Sequence, residues 1–304
     1  MNTANLTGPL TIPMTNDYLF RALLQQNNKV LKGLISSLLH LSLEEITSVE
    51  ITNPIELGRT INAKDFFLDI KVLLNSDTII NLEMQVINEH NWIERSLSYL
   101  CRSFDGLNKG DNYLKARPVV QISLLDFTLF PEHPEFYATY QLLNVKNYIK
   151  YSDKLYLHVL DLTRIDLATE EDKHYQIDYW ASLFKATTWE ELRMLAEKNE
   201  SIAEATETVY KLSEEEMIRL QCEAREDYYR RQRDAEILRE RQEQQMLENK
   251  RQMQEQQRQM QEQQRQMQEQ QRQMQAIKTQ YQELLEQNRQ LIAENERLRT
   301  KQAE

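Results

Sequence analysis

Five polar side chains alternate along two neighbouring runs, and two of them, Asp69 and Glu83, are of the type that holds a hard metal ion. Asp69 and Lys71 lie in FFLDIKVLL, and Asn81, Glu83 and Gln85 lie in TIINLEMQV. Both runs are rich in Ile, Leu, Val, Phe and Thr, and Asn75-Ser76-Asp77 separates them, so each reads as a strand. Side chains alternate along a strand, which puts Asp69 and Lys71 on one face and Asn81, Glu83 and Gln85 on one face. Phe66, Leu68, Ile70, Val72 and Leu74 point the other way, as do Ile80, Leu82, Met84 and Val86. With the three turn residues as the whole loop, Leu74 faces Thr78 and Asp69 falls opposite Glu83. Directly opposed residues keep their Cβ atoms about 4.5–5.5 Å apart. Two carboxylates at that range repel unless a cation sits between them. Asp, Glu and a backbone carbonyl suit Mg²⁺ or Mn²⁺. The same pattern also suits a solvated hairpin face of mixed charge, and a slip of one residue removes the pairing.

The elements that must hold these residues follow from periodicity. A helix capped by Thr15 or Asn16 carries Tyr18, Leu19, Ala22 and Leu23 on one side. A second spans about Lys29 to Leu39. ITSVEI, residues 46–51, alternates like a strand. Trp92 to Leu107 suits a helix on which Arg95 and Tyr99, four apart, share a face. Val119 to Leu125 reads as a continuous apolar, buried strand. Phe136 to Asn144 and Leu155 to Leu160 read as two more. Helices before and after a hairpin give an α/β sandwich around a mixed sheet. The five histidines are scattered and show no zinc spacing.

Composition narrows the setting. No run of 18 apolar residues occurs, so no membrane span is expected. The first residues lack a basic segment followed by an apolar one, so no secretion signal is read. Cys101 and Cys222 form neither a metal spacing nor a disulfide framework, which fits a reducing cytoplasm. A net charge of −11 opposes strong nucleic-acid binding. For a chain that cleaves DNA it would mean weak, salt-sensitive affinity, with a local basic strip and a metal providing the contacts.

Residues 166 to about 235 turn helical and polar, with Tyr179, Trp180, Leu183 and Phe184 as an apolar patch and Thr188 as an N-cap. They suit an extension packed on the preceding domain. Farther on, RQMQEQQ repeats in tandem at 251–257, 258–264 and 265–271, a period of seven. Met246, Met253, Met260, Met267 and Met274 fall at position a, while Asn249, Gln256, Gln263 and Gln270 occupy d. Downstream, Ile277, Leu284, Leu291 and Leu298 take d, with Tyr281, Asn288 and Asn295 at a. Leu at d with Asn at a favours a parallel two-stranded coil, so a homodimer through 274–300 is expected. A lone solvated helix is the alternative for the glutamine stretch.

Five ordered blocks carry a family resemblance over roughly residues 12–165. They are NDYLFR at 16–21, LDIK at 68–71, NLEMQ at 81–85, ERSLSY at 94–99 and KARPVVQISLLDF at 115–127. In these the chain resembles the Rpn-type recombination-promoting nucleases, also described as transposases, of the PD-(D/E)XK nuclease superfamily. The resemblance implies a restriction-endonuclease-like mixed sheet flanked by helices, followed here by the helical extension and the coiled coil. The corresponding domains are an arm at 1–13, a nuclease domain at 14–165, an extension at 166–235 and a coiled coil at 236–304. It implies Mg²⁺-dependent, or Mn²⁺-dependent, hydrolysis of DNA in recombination or mobile elements. Asp69 and Glu83 match the motif's carboxylates, and Asp17 a further acidic position near the metal. Arg95 and Tyr99 stand as substrate contacts beside the site, although a surface arginine packing its stem explains Arg95 equally well. The departure is Gln85, where the superfamily has lysine. Gln85 can orient a water but brings no charge, and Lys71 is the residue placed to supply one. A nuclease-fold module that has lost activity and serves assembly through its coiled coil is the alternative.

Overall fold

A computed structural model of the chain describes residues 6–55 and 70–303. The first helix, α1 (Asp17–Gln26), is capped by Asn16, whose side chain accepts from the amides of Tyr18 and Leu19. Asn27 caps α2 (Asn28–Leu39) in the same way. Then come β1 (Val49–Ile51), β2 (Ile70–Leu74), β3 (Thr78–Gln85), α3 (Trp92–Phe104), β4 (Val119–Leu125), β5 (Tyr137–Tyr140) and β6 (Leu155–Asp161). Four helices follow, α4 (Glu170–His174), α5 (Ile177–Lys185), α6 (Trp189–Ala196) and α7 (Glu200–Glu214), and then α8 (Glu216–Ala303). Thr188 caps α6 through a reciprocal box with Glu191.

Among the described residues six strands form one sheet, in the order β1-β2-β3-β4-β6-β5. β1, β2 and β3 are antiparallel neighbours; β3, β4 and β6 run parallel; β5 closes the far edge antiparallel. The β2–β3 hairpin has the expected register, with Leu74 opposite Thr78 and Ile70 opposite Leu82. Asn75 and Ser76 both take positive φ, the local twist that a tight hairpin needs. Asn75 stays there by accepting from the amides of Thr47 and Ser48 and donating to the Glu45 carbonyl.

The two sheet faces are covered differently. Ile70, Val72, Leu74, Ile80, Leu82, Met84, Ile122 and Leu124 join the main core with side chains of α1, α2, α5 and α7. Trp180 and Phe184 of α5 lie at its centre, fully buried, with the Trp180 indole donating to Ser37 Oγ at 3.0 Å. The helices after residue 165 therefore share one core with the first two. Gly33 lets α2 meet α7 closely, because a Cβ there would run into the Ser201 side chain. Among the described residues α3 packs over the opposite face, against β3, β4 and β6.

Several strand and helix ends differ from the periodicity. The helix read to Leu107 ends at Phe104, before Asp105-Gly106. The strand read over Phe136–Asn144 pairs only as Tyr137–Tyr140, because the chain turns back at Leu143, which bridges to Lys150. Chain contacts divide the protein into two compact units, Met1–Arg233 and Asp234–Glu304. The second is wholly helical in its described residues, with Met246, Met253, Met260, Met267, Met274, Ile277, Leu284 and Leu291 all exposed. No helix among the described residues is long and apolar enough to cross a membrane.

Candidate active site

Glu83 sits near the C-terminal end of β3, on the face toward α3, and is only 5 % exposed. A carboxylate that deep needs a cation or several donors. Arg95, one turn into α3, meets it: Nη2 lies 2.5 Å from Glu83 Oε1. The same guanidinium reaches Gln85 Oε1 at 3.3 Å, Tyr99 Oη at 3.3 Å and Glu89 at 3.8 Å. Its plane also lies 5.4 Å from the Trp92 ring and 5.6 Å from the Tyr99 ring. Burial works against its charge, but Glu83, Tyr99 and Glu89 outweigh it and hold the Arg95 pKa above its ordinary value. Glu83 and Gln85 from the end of β3 and Arg95 and Tyr99 from the first turns of α3 thus form one cluster. Gln85 is engaged at both ends, since its amide nitrogen also donates to the Ile87 carbonyl at 2.9 Å.

Two residues of this face were not singled out from sequence. Gln121 and Ser123 interrupt the apolar run of β4, and both are buried, at 0 % and 1 % exposed. Parallel register sets Gln121 beside Asn81 and Ser123 beside Glu83. Among the described residues Ser123 Oγ, both Gln121 side-chain polar atoms and Asn81 Oδ1 are buried without a hydrogen-bond partner. Asn81 does donate, to Ser103 of α3 at 2.8 Å. Buried polar atoms without partners mark places where water or an ion completes the structure. The signal was legible as polar residues at 121 and 123, two apart in a strand otherwise of Val, Ile and Leu.

Of the other expected site residues, Lys71 lies opposite Asn81, half-buried, with its backbone amide donating to Asn53 Oδ1 at 2.8 Å. Arg21 of α1 in turn donates to the Asn53 carbonyl, so α1 ties down the segment beside β2. Asp69 lies outside the described residues. Asp17, 4 % exposed, has a partner of its own: Arg225 Nε lies 2.8 Å from both of its oxygens and Nη2 lies 2.6 Å from Oδ2. Tyr228 and Tyr229 stack on that guanidinium at 4.6 and 4.9 Å. Burial opposes the Arg225 charge, yet Asp17 and Tyr229 raise its pKa. Burial, with Asp17, also pushes the nearby Cys222 thiol up to about 12.

Among the described residues no three His, Cys, Asp or Glu side chains cluster as a ready-made metal site. The chemistry at Glu83 nevertheless fits a hard divalent cation. One buried carboxylate already holds a cationic group, and neutral oxygens of Ser123, Asn81 and Gln121 share its face. One further carboxylate would complete such a donor set.

With this geometry in view, the chain was compared with known proteins. A family model described as PD-(D/E)XK nuclease family transposase matches residues 14–240, a span that contains Asp17, Glu83, Arg95 and Arg225. No curated protein and no solved structure matches.

Proposed function

The chain belongs to the PD-(D/E)XK nuclease family transposases, and on that premise we propose that it is a metal-dependent DNA endonuclease acting in recombination or mobile-element movement. The observation that carries the proposal is the Glu83–Arg95 contact, a buried carboxylate held by an exchangeable cation beside partnerless polar atoms. In this reading Asp69 and Glu83 hold Mg²⁺, with Mn²⁺ as a substitute. An ion held there would supply polarisation of a phosphate oxygen and a lowered pKa for a bound water. With Glu83 as a ligand, Arg95 would be available to a phosphate oxygen, with Tyr99 keeping the guanidinium oriented. Gln85, freed from Arg95, and Lys71 position the attacking water. Ser123 and Gln121 complete the polar lining below them. Asp17 takes part as a ligand only by giving up Arg225.

Plasmid nicking in Mg²⁺ by the wild type and by Glu83→Gln tests the reading. Nicking by the wild type that disappears in the variant is expected, and undiminished nicking by Glu83→Gln would sink it.

The proposal includes a homodimer. A single copy leaves a heptad stripe of Met, Ile and Leu uncovered along residues 246–292, and a second copy of the same stripe is its natural cover. The full chain should sediment as a dimer and the chain lacking residues 234–304 as a monomer, and the same oligomeric state for both would remove this dimer. One observation favours the alternative of an assembly module without activity. Gln85 stands where a lysine is expected, and both ends of its amide are already bonded. Metal binding at Glu83 without cleavage of any DNA would select that alternative.

A further inference from the structure

The proposed chemistry leaves unused an aromatic and basic surface at the other end of the sheet. The segment between β5 and β6 folds back on itself: Leu143 bridges to Lys150, the Asn144 amide donates to the Ile149 carbonyl at 2.9 Å, and the Tyr151 amide to the Leu142 carbonyl at 2.9 Å. Tyr148 holds the tip with φ +59°, a conformation seldom adopted by an aromatic residue. The result is display: Tyr148 is 76 % exposed and Tyr151 86 %. Tyr113, 87 % exposed, stands on the turn that precedes β4. The two segments are tied together, since Lys154 Nζ donates to the Ala116 carbonyl and the Val119 amide to the Lys154 carbonyl.

Charge singles out the same place. Residues 140–154 carry three lysines, Lys146, Lys150 and Lys154, against one acid, Asp153, in a chain of net charge −11. Lys150 is partly spent on Asp153 at 2.8 Å. Exposed tyrosines among lysines match a ligand that offers bare rings and phosphates together. A single nucleic-acid strand does, while a duplex keeps its bases stacked inside and would leave the tyrosines without partners. A lipid surface would want an unbroken apolar tip, but Asn144, Lys146 and Asn147 interrupt this one.

We propose that the Tyr148–Tyr151 hairpin and the Tyr113 turn form a binding surface for single-stranded DNA. From Ile79 to Gln85 the strands rise about 20 Å, so the surface would hold a strand that runs along α3, past Arg102 and Arg95, to the cutting site. The choice of DNA rests on the nuclease reading; the preference for an unpaired strand rests on the tyrosines.

The test is fluorescence anisotropy on the full chain, metal-free and at low salt, with a labelled oligothymidylate and a duplex of equal length. Tyr148→Ala/Tyr151→Ala should weaken single-strand binding roughly tenfold to a hundredfold and leave duplex binding nearly unchanged, with the same melting temperature. Lys146→Glu should weaken both. Equal single-strand binding by the wild type and the double variant overturns the proposal. So does tyrosine-dependent binding to phospholipid vesicles with none to the oligonucleotide. Plasmid nicking separates the two readings. Nicking by a wild type whose oligonucleotide binding ignores the tyrosines removes this surface and keeps the nuclease. Tyrosine-dependent binding with no nicking in Mg²⁺ or Mn²⁺ removes the nuclease and keeps the surface.

Discussion

Two arginines of the first unit meet a buried carboxylate, Arg225 at Asp17 and Arg95 at Glu83, and they are built to opposite ends. Arg225 grips both oxygens of Asp17 between two tyrosine rings, and the two side chains are 12 % and 6 % exposed. Asn16, next to Asp17, also donates to the Cys222 carbonyl and to Glu226. Together they bind the start of α1 to the first turns of α8. Arg95 spreads one guanidinium over Glu83, Gln85, Glu89 and Tyr99, with 29 % of its side chain exposed. The lesson is that the same chemistry makes a latch where the guanidinium grips both oxygens of one buried carboxylate between two rings. Where the donors are shared among several partners and the side chain is partly exposed, the proposed function needs the contact to open for a metal.

The contrast can be broken by removing one carboxylate at a time. Glu83→Gln should cost catalysis on the order of 10³-fold, read by plasmid nicking, with little change in melting. Asp17→Asn should do the reverse, destabilising by about 3–5 kcal/mol because it leaves Arg225 buried without its counter-charge. Chemical denaturation reads that loss. Loss of metal affinity at unchanged stability would instead make Asp17 a ligand.

Acid should destabilise the first unit at a third place, away from both pairs. His158 of β6 is 8 % exposed and hydrogen-bonds Tyr137 and Thr139 through Nδ1. Burial first, and the charge of His40 second, lower its pKa from 6.5 to about 4. The unfolded chain therefore binds the proton more readily, so this contribution to stability is complete above about pH 6.5 and is lost as pH falls toward 4. The loss is about 3 kcal/mol, and His158→Gln should flatten it in melts taken at pH 7 and pH 5. Smallest of all, Arg95→Ala should slow cleavage roughly tenfold to a hundredfold. It should also let Mn²⁺ bind more readily in calorimetry without DNA, because the competing cation is gone. Weaker Mn²⁺ binding would make Arg95 a support for Glu83 and not its placeholder.

Much of this arrangement was legible in order along the chain. Period-two alternation and the Asn75-Ser76-Asp77 turn set the β2–β3 register, because a slip by one residue would expose Ile80, Leu82 and Met84. Asn16, Thr188 and the spacing of Arg95 and Tyr99 are local signals and read correctly. What stayed hidden joins distant segments. Gln121 and Ser123 gain meaning only when β4 lies parallel beside β3, and their neighbours Val119, Val120, Ile122 and Leu124 made the run look uniformly apolar. The Asp17–Arg225 pair spans 208 residues, and no periodicity links α1 to the first turns of α8.

The sequence by itself determined the elements, the hairpin register, the heptads of the second unit and the candidate carboxylates, because these depend on contacts a few residues apart. Only the tertiary structure decided which arginine meets which carboxylate, and how many partners each guanidinium has. Those outcomes depend on burial and on the number of donors that converge from separate elements, quantities that exist only once the chain has packed.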